Sequence, residues 1–133
     1  MKCLVIYSSV AGNTKAVAEY IANKTGGMAI SIADAKPLDL EDFDTVIFGS
    51  RVHAGSIKKS IVEFAKANKE RLSAMRTAFF CCCVYKDEKA EKQVAKFAQE
   101  LGISTGTYFN KGKQLVQADP AEIDDFLSHV ESK

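Results

Sequence analysis

A chain of 133 residues with 18 Lys+Arg against 17 Asp+Glu has room for one domain and lacks the charge field that recruits nucleic acid. The N-terminal apolar run, Cys3-Leu4-Val5-Ile6-Tyr7, is too short for a signal-peptide core or a membrane span, so a cytoplasmic protein is expected. The 4 cysteines read as reduced thiols, without the pairing that a disulfide framework or zinc would need.

In chain order, Cys3–Tyr7 is a continuous apolar run, the pattern of a parallel strand buried on both faces. A polar loop carrying Gly12 leads to a helix over 14–24, with Val17 and Ile21 on one face and Gly26-Gly27 as its stop. A weak strand is predicted over 28–32. The segment 33–44 contains Pro37 and receives at most one helical turn around 38–43, with Leu40 and Phe43 inward. Thr45–Gly49 is the third strand. Ile57, Ile61, Phe64, Ala65 and Asn68 then fall at helical spacing, predicting a helix over 57–68.

Strand four, over 77–84, contains Cys81-Cys82-Cys83. Adjacent strand residues face opposite ways, so Cys81 and Cys82 read as small buried hydrophobes, while Cys83 stands near the strand's end, where it can line a site. Ala90, Val94, Phe97, Ala98 and Leu101 mark the next helix, closed by Gly102, and a fifth strand follows over 105–109. The last helix is signalled by Asp119 as N-cap, Pro120 at its first position and Glu122 at the third. Its buried stripe is Ile123, Phe126, Leu127 and Val130.

Strands alternating with helices predict a single α/β domain over 1–133, a three-layer sandwich around a doubly wound, five-stranded parallel sheet of order 2-1-3-4-5. Ligands of such sheets bind beyond the carboxyl ends of the strands, where the order reverses, here between strands one and three. The loop after strand one, Ser8-Ser9-Val10-Ala11-Gly12-Asn13-Thr14, suits a phosphate. Gly12 permits a tight turn, Ser8, Ser9 and Thr14 carry hydroxyl donors, Asn13 an amide, and the helix that follows points its unpaired N–H groups at an anion. Without G-K-[ST] or G-x-G-x-x-G, the loop fits neither a nucleoside triphosphate nor a dinucleotide, but a mononucleotide.

The stretch Val5-Ile6-Tyr7-Ser8-Ser9-Val10-Ala11-Gly12-Asn13-Thr14, continued by Ala18 and Ile21 on the helix, resembles the flavodoxin signature. The strand-order rule is commonly illustrated on flavodoxins, so its agreement with this resemblance is not independent. The resemblance implies FMN as cofactor, with Ser9 and Thr14 as hydroxyl donors to its phosphate and backbone N–H groups from Val10 to Thr14 completing the cradle. Phe43–Gly55, followed by the helix with Phe64, is similar to a flavodoxin-like branch that includes menaquinone-dependent protoporphyrinogen dehydrogenases. It implies that Ser50, Arg51, Val52, His53, Ala54 and Gly55 lie against the flavin ring, with Gly55 free to swing a carbonyl toward it. Cys83, Val84 and Tyr85 follow strand four on the other side.

The chain departs from flavodoxins in having no tryptophan and a net charge of only +1. Tyr85 is the candidate stacking residue, and His53 is placed to stack, to hydrogen-bond or to face solvent. Reduction makes the flavin anionic, and a cation about 8 Å away at an effective dielectric of about 40 contributes on the order of 1 kcal/mol. Since 59 mV corresponds to roughly 1.4 kcal/mol for one electron, Arg51, with Lys58 and Lys59, is expected to raise the second reduction potential by tens of millivolts. Arg51→Gln should lower that potential in a spectroelectrochemical titration.

The resemblance implies a small electron carrier cycling FMN between oxidised, semiquinone and hydroquinone states, with no catalytic side chain of its own. Its partners would be a reductase or ferredoxin-dependent donor and an acceptor oxidoreductase. The alternative is an FMN-dependent oxidoreductase related to protoporphyrinogen dehydrogenase, although those relatives carry a long loop after strand four. A phosphoacceptor receiver domain would need acids where this chain has Ser8 and Ser9.

Overall fold

In the computed structural model, residues 2–8, 12–35, 40–52, 55–83 and 87–132 are described. Of the candidate site residues, Ser9, Val10, Ala11, His53, Ala54, Val84 and Tyr85 lie outside them.

The apolar runs form β1 (Cys3–Tyr7), β2 (Met28–Ser31), β3 (Thr45–Arg51), β4 (Arg76–Cys82) and β5 (Gly106–Phe109). Every pairing is parallel and the order is β2-β1-β3-β4-β5, the doubly wound sheet expected from the sequence. The connecting helices are α1 (Asn13–Thr25), α2 (Ile32–Ala35), α3 (Lys59–Ala67), α4 (Lys69–Ser73), α5 (Asp87–Leu101), α6 (Gly112–Ala118) and α7 (Ala121–Glu131), with a 3-10 turn at Leu40–Asp42.

The period of two along each strand sorts the core into two layers. Leu4, Ile6, Val46, Phe48 and Phe79 face one side, where Ile61, Phe64, Leu72, Phe97 and Leu101 of α3, α4 and α5 cover them. Cys3, Val5, Ile47, Ala78 and Phe80 face the other, under Val17 and Ile21 of α1 and Ile123, Phe126 and Val130 of α7. Tyr20 on α1 donates its hydroxyl to Asp124 of α7 at 2.6 Å, fastening the two helices of this layer together.

Two aromatic rings lie over the glycines opposite them. Phe80 pairs with Gly49 and Phe79 with Gly106 across the sheet. A Cβ added at Gly49 would stand 2.3 Å from the Phe80 ring, and one at Gly106 would stand 2.1 Å from the Phe79 ring. Each glycine vacates the volume that the neighbouring strand's phenylalanine fills.

Several boundaries differ from expectation. α2, α4 and α6 were not foreseen, because none carries a periodic apolar stripe; α4 buries only Leu72 and α6 only Gly112. β3 runs on to Arg51, β4 stops at Cys82, and Ile32 opens α2 instead of ending β2. The expected cap of the last helix is displaced by one residue. Pro120 occupies the N-cap position and Ala121 opens α7, while the Asp119 carboxylate still accepts the Ala121 N–H at 3.2 Å.

Cys81 and Cys82 fall in opposite core layers, which puts adjacent thiols on opposite faces of one strand. Burial pushes the Cys3 and Cys82 thiols up from 9.0 to about 11, the effect on Cys82 being offset in part by the Thr14 hydroxyl, and it raises Cys81 as well. Cys83 is the only one of the four that is not buried. In the native protein at pH 8, therefore, Ellman's reagent should titrate Cys83 rapidly and the other thiols only on unfolding. Because the folded pKa of Cys3 and Cys82 exceeds the unfolded one, their stabilising effect is complete below pH 9.0 and is lost as pH rises toward 11. Denaturation midpoints should decline across that window.

Candidate cofactor site at the carboxyl pole of the sheet

β1 and β3 are neighbours whose following helices, α1 and α3, lie on opposite faces, so their carboxyl ends border the crevice of a doubly wound sheet. At this switch point the chain reverses into α1 through Gly12, at φ 88 and ψ −152, a region open essentially to glycine alone. Among the described residues, no side chain caps α1, and its first turn has no acidic residue. A helix of 13 residues thus presents its leading N–H groups and the positive end of its dipole without a protein partner from its own cap.

The hydroxyls of Ser8, Ser50 and Thr14 have partners within the protein. Ser8 donates to Ser50 Oγ at 3.1 Å, Ser50 donates to the Arg51 carbonyl at 3.1 Å, and the Lys58 N–H donates to Ser50 Oγ at 3.0 Å. The single hydrogen and both lone pairs of Ser50 are used within the protein. Ser50 therefore ties the start of the β3–α3 loop to its end and to β1. Thr14 is 2% exposed and its hydroxyl engages the Cys82 thiol. Among the described residues, the Asn13 side-chain amide remains as a side-chain donor at the head of α1, beside the backbone amides. Asn13 Oδ1 itself accepts the Lys113 N–H of α6 at 2.9 Å.

The rest of the β3–α3 loop opens beyond Ser50. Arg51 is exposed and Val52 half-buried, its N–H bonded to the Cys82 carbonyl at 3.0 Å. Gly55 has φ 77 and nothing within 4 Å of where a Cβ would stand, so its free volume is real, but its carbonyl accepts Lys96 Nζ of α5 at 3.2 Å. Cys83, just past β4, is half-buried; its N–H reaches the Phe109 carbonyl at 3.2 Å and its carbonyl accepts Asn110 Nδ2 at 2.7 Å.

Long-range supports of this kind escape sequence reading. Lys113, Lys96 and Asn110 meet partners 100, 41 and 27 residues away. Gly112 was missed too: a Cβ there would stand 2.6 Å from Val17 Cγ2, so only glycine lets α6 rest on the head of α1. An open groove of about 870 Å³ lies elsewhere, between β5 and α7, bordered by Asp87, Glu122 and Asp125. Its carboxylates disfavour a phosphate, in contrast to the acid-free head of α1.

Residues 4–113 match the flavodoxin domain family. The chain belongs to that family. Among solved structures, the flavodoxin fold recurs in oxidised flavodoxin 1 from Bacillus cereus, with a TM-score of 0.65 at 23% identity, covering 97% of this chain and 99% of that one. It recurs in a flavoprotein in complex with FMN from Lactobacillus acidophilus, with a TM-score of 0.62 at 17% identity, covering 87% and 97%. Protoporphyrinogen IX dehydrogenase [quinone] of Escherichia coli K12 is 28% identical over 108 residues, 76% of this chain and 60% of that protein. This flavodoxin domain thus spans about three-fifths of the length of that curated relative. Among its described residues, no helix is long and apolar enough to cross a membrane.

Proposed function

We propose that the protein binds FMN at the carboxyl pole of its sheet and serves as a cytoplasmic one-electron carrier between redox proteins. The observation that carries this reading is the head of α1, uncapped and free of acids at the point where strand order reverses. Backbone N–H groups of Gly12 to Thr14, with those of Val10 and Ala11, and the Ser9 hydroxyl and Asn13 amide would hold the phosphate. Bound FMN supplies the redox chemistry, accepting and releasing electrons one at a time.

The chain's own residues bind and orient. Ser50 fixes the β3–α3 loop at both ends, Lys96 holds the Gly55 carbonyl, and Asn110 holds the peptide of Cys83. Beside the segments so held, Val52, His53, Ala54, Val84 and Tyr85 would meet the ring. Arg51, exposed at the tip of β3, would favour an added negative charge there.

A second reading, an FMN-dependent oxidoreductase, is favoured by the similarity to protoporphyrinogen IX dehydrogenase. Against it, only residues 83–86 connect β4 to α5, which is little chain to enclose a porphyrin-sized substrate. The purified protein should be yellow and release one equivalent of FMN on denaturation. A colourless protein that takes up no FMN would refute both readings. Reduction of the bound flavin by protoporphyrinogen, but not by a flavodoxin reductase, would favour the second.

A further inference from the structure

The pole that carries the proposed site is also where cations gather. Arg51 closes β3 and Lys58 directly precedes α3, its N–H on Ser50. On the other flank, Lys111 directly precedes α6 and Lys113 lies in its first turn, its N–H on Asn13 at the head of α1. Lys15 sits in the first turn of α1. Arg51, Lys58, Lys111 and Lys113 are exposed, and no carboxylate among the described residues pairs with any of the five.

The helices that flank the crevice, α1, α3 and α6, carry no acidic residue in their first turns. Asp34 and Asp87 stand after β2 and at the start of α5, whereas Glu63 is paired with Lys59 at 3.9 Å and Glu88 with Lys92 at 3.4 Å. Acidic first turns belong to other helices: Asp34 in α2, Asp87 and Glu88 in α5, and Glu122 and Asp124 in α7. Positive charge is thus concentrated on the two flanks of the crevice.

We propose that this cationic rim docks the anionic face of an electron-transfer protein, so that the partner for the site is an acidic carrier and not a basic one. The proposal rests on the FMN reading above. Unpaired cations on both flanks of a crevice steer an opposite charge to it and fix its orientation, and salt removes the effect once the Debye length falls well below about 10 Å. In the step itself, one electron passes from the partner's reduced cluster to the flavin; the partner is oxidised by one electron and no bond forms between the proteins.

The test uses the FMN-loaded protein, mixed in a stopped-flow instrument with a reduced, acidic [2Fe–2S] ferredoxin as the probe. Between about 20 mM and about 500 mM ionic strength, the second-order rate constant should fall tenfold or more. The double variant Lys111→Glu/Lys113→Glu, with its loading checked by FMN titration, should lower the low-salt rate about tenfold and flatten the salt dependence. Lys58→Glu should do the same from the opposite flank. Oxidation of the reduced protein by cytochrome c, a basic carrier, should accelerate with salt.

A ferredoxin rate that is flat or rises with salt, or that ignores both charge reversals, overturns the docking inference while leaving the cofactor reading intact. A protein that takes up no FMN brings down both.

Discussion

Asn13→Asp should make the apoprotein more stable and its affinity for FMN about 100-fold weaker. The substitution is isosteric and retains the oxygen that accepts the Lys113 N–H, so α6 stays seated on α1. It adds a carboxylate to a first turn that has none, which complements the helix dipole by about 0.3–1 kcal/mol and should raise Tm by a few degrees. The same carboxylate would share the helix end with a phosphate dianion and take away an amide donor, together on the order of 2–3 kcal/mol against binding. Stability and affinity thus move in opposite directions. Thermal melts of the apoprotein and fluorescence titrations with FMN check both, and Asn13→Ser serves as a control that loses the Lys113 bond without adding charge. Unchanged FMN affinity in Asn13→Asp would mean that no anion lies at the head of α1.

Gly49→Ala is expected to destabilise the fold by about 3 kcal/mol, lowering Tm by about 10 °C. The added Cβ would stand 2.3 Å from Phe80 Cζ and 2.8 Å from both Cε atoms. Retreat is costly for that ring: Phe80 is 1% exposed and packs against Phe109 at a centroid distance of 5.9 Å. Gly49 lies in the central strand and its carbonyl accepts the Ser8 N–H at 3.1 Å, so backbone displacement would also disturb the switch point. Phe80→Leu in the same chain should recover part of the loss, because the smaller side chain vacates the volume that alanine needs. A double-mutant cycle in urea checks this; additive effects, within about 0.5 kcal/mol, would show that the two positions do not compete for one space.

Both predictions turn on features that the sequence revealed only in part. The strands were legible because a parallel sheet buried on both faces demands uninterrupted apolar runs, and Cys3–Tyr7 and Thr45–Gly49 are such runs. The head of α1 was legible for a local reason: Gly12, Asn13 and Thr14 adjoin one another and announce a turn into a helix. α6 was not, since a helix that buries only a glycine leaves no periodic trace, and the meaning of Gly112 appears only with Val17 beneath it. The hydroxyls of Ser8, Ser50 and Thr14 were legible as polar groups around the carboxyl ends of β1 and β3. Their partners were not, because Ser8 and Ser50 meet across 42 residues and Thr14 of α1 meets Cys82 at the end of β4. Lys96, which holds the Gly55 carbonyl, lies on the polar side of an amphipathic helix and looks there like any solubilising lysine.

Parallel titrations with FMN and riboflavin separate the phosphate from the ring most directly. The two share the isoalloxazine and the ribityl chain and differ only in the phosphate. If the backbone amides at the head of α1 receive that phosphate, FMN should bind at least about 100-fold more tightly than riboflavin, about 2.7 kcal/mol or more. Equal affinity for the two, or no binding of either, would contradict it.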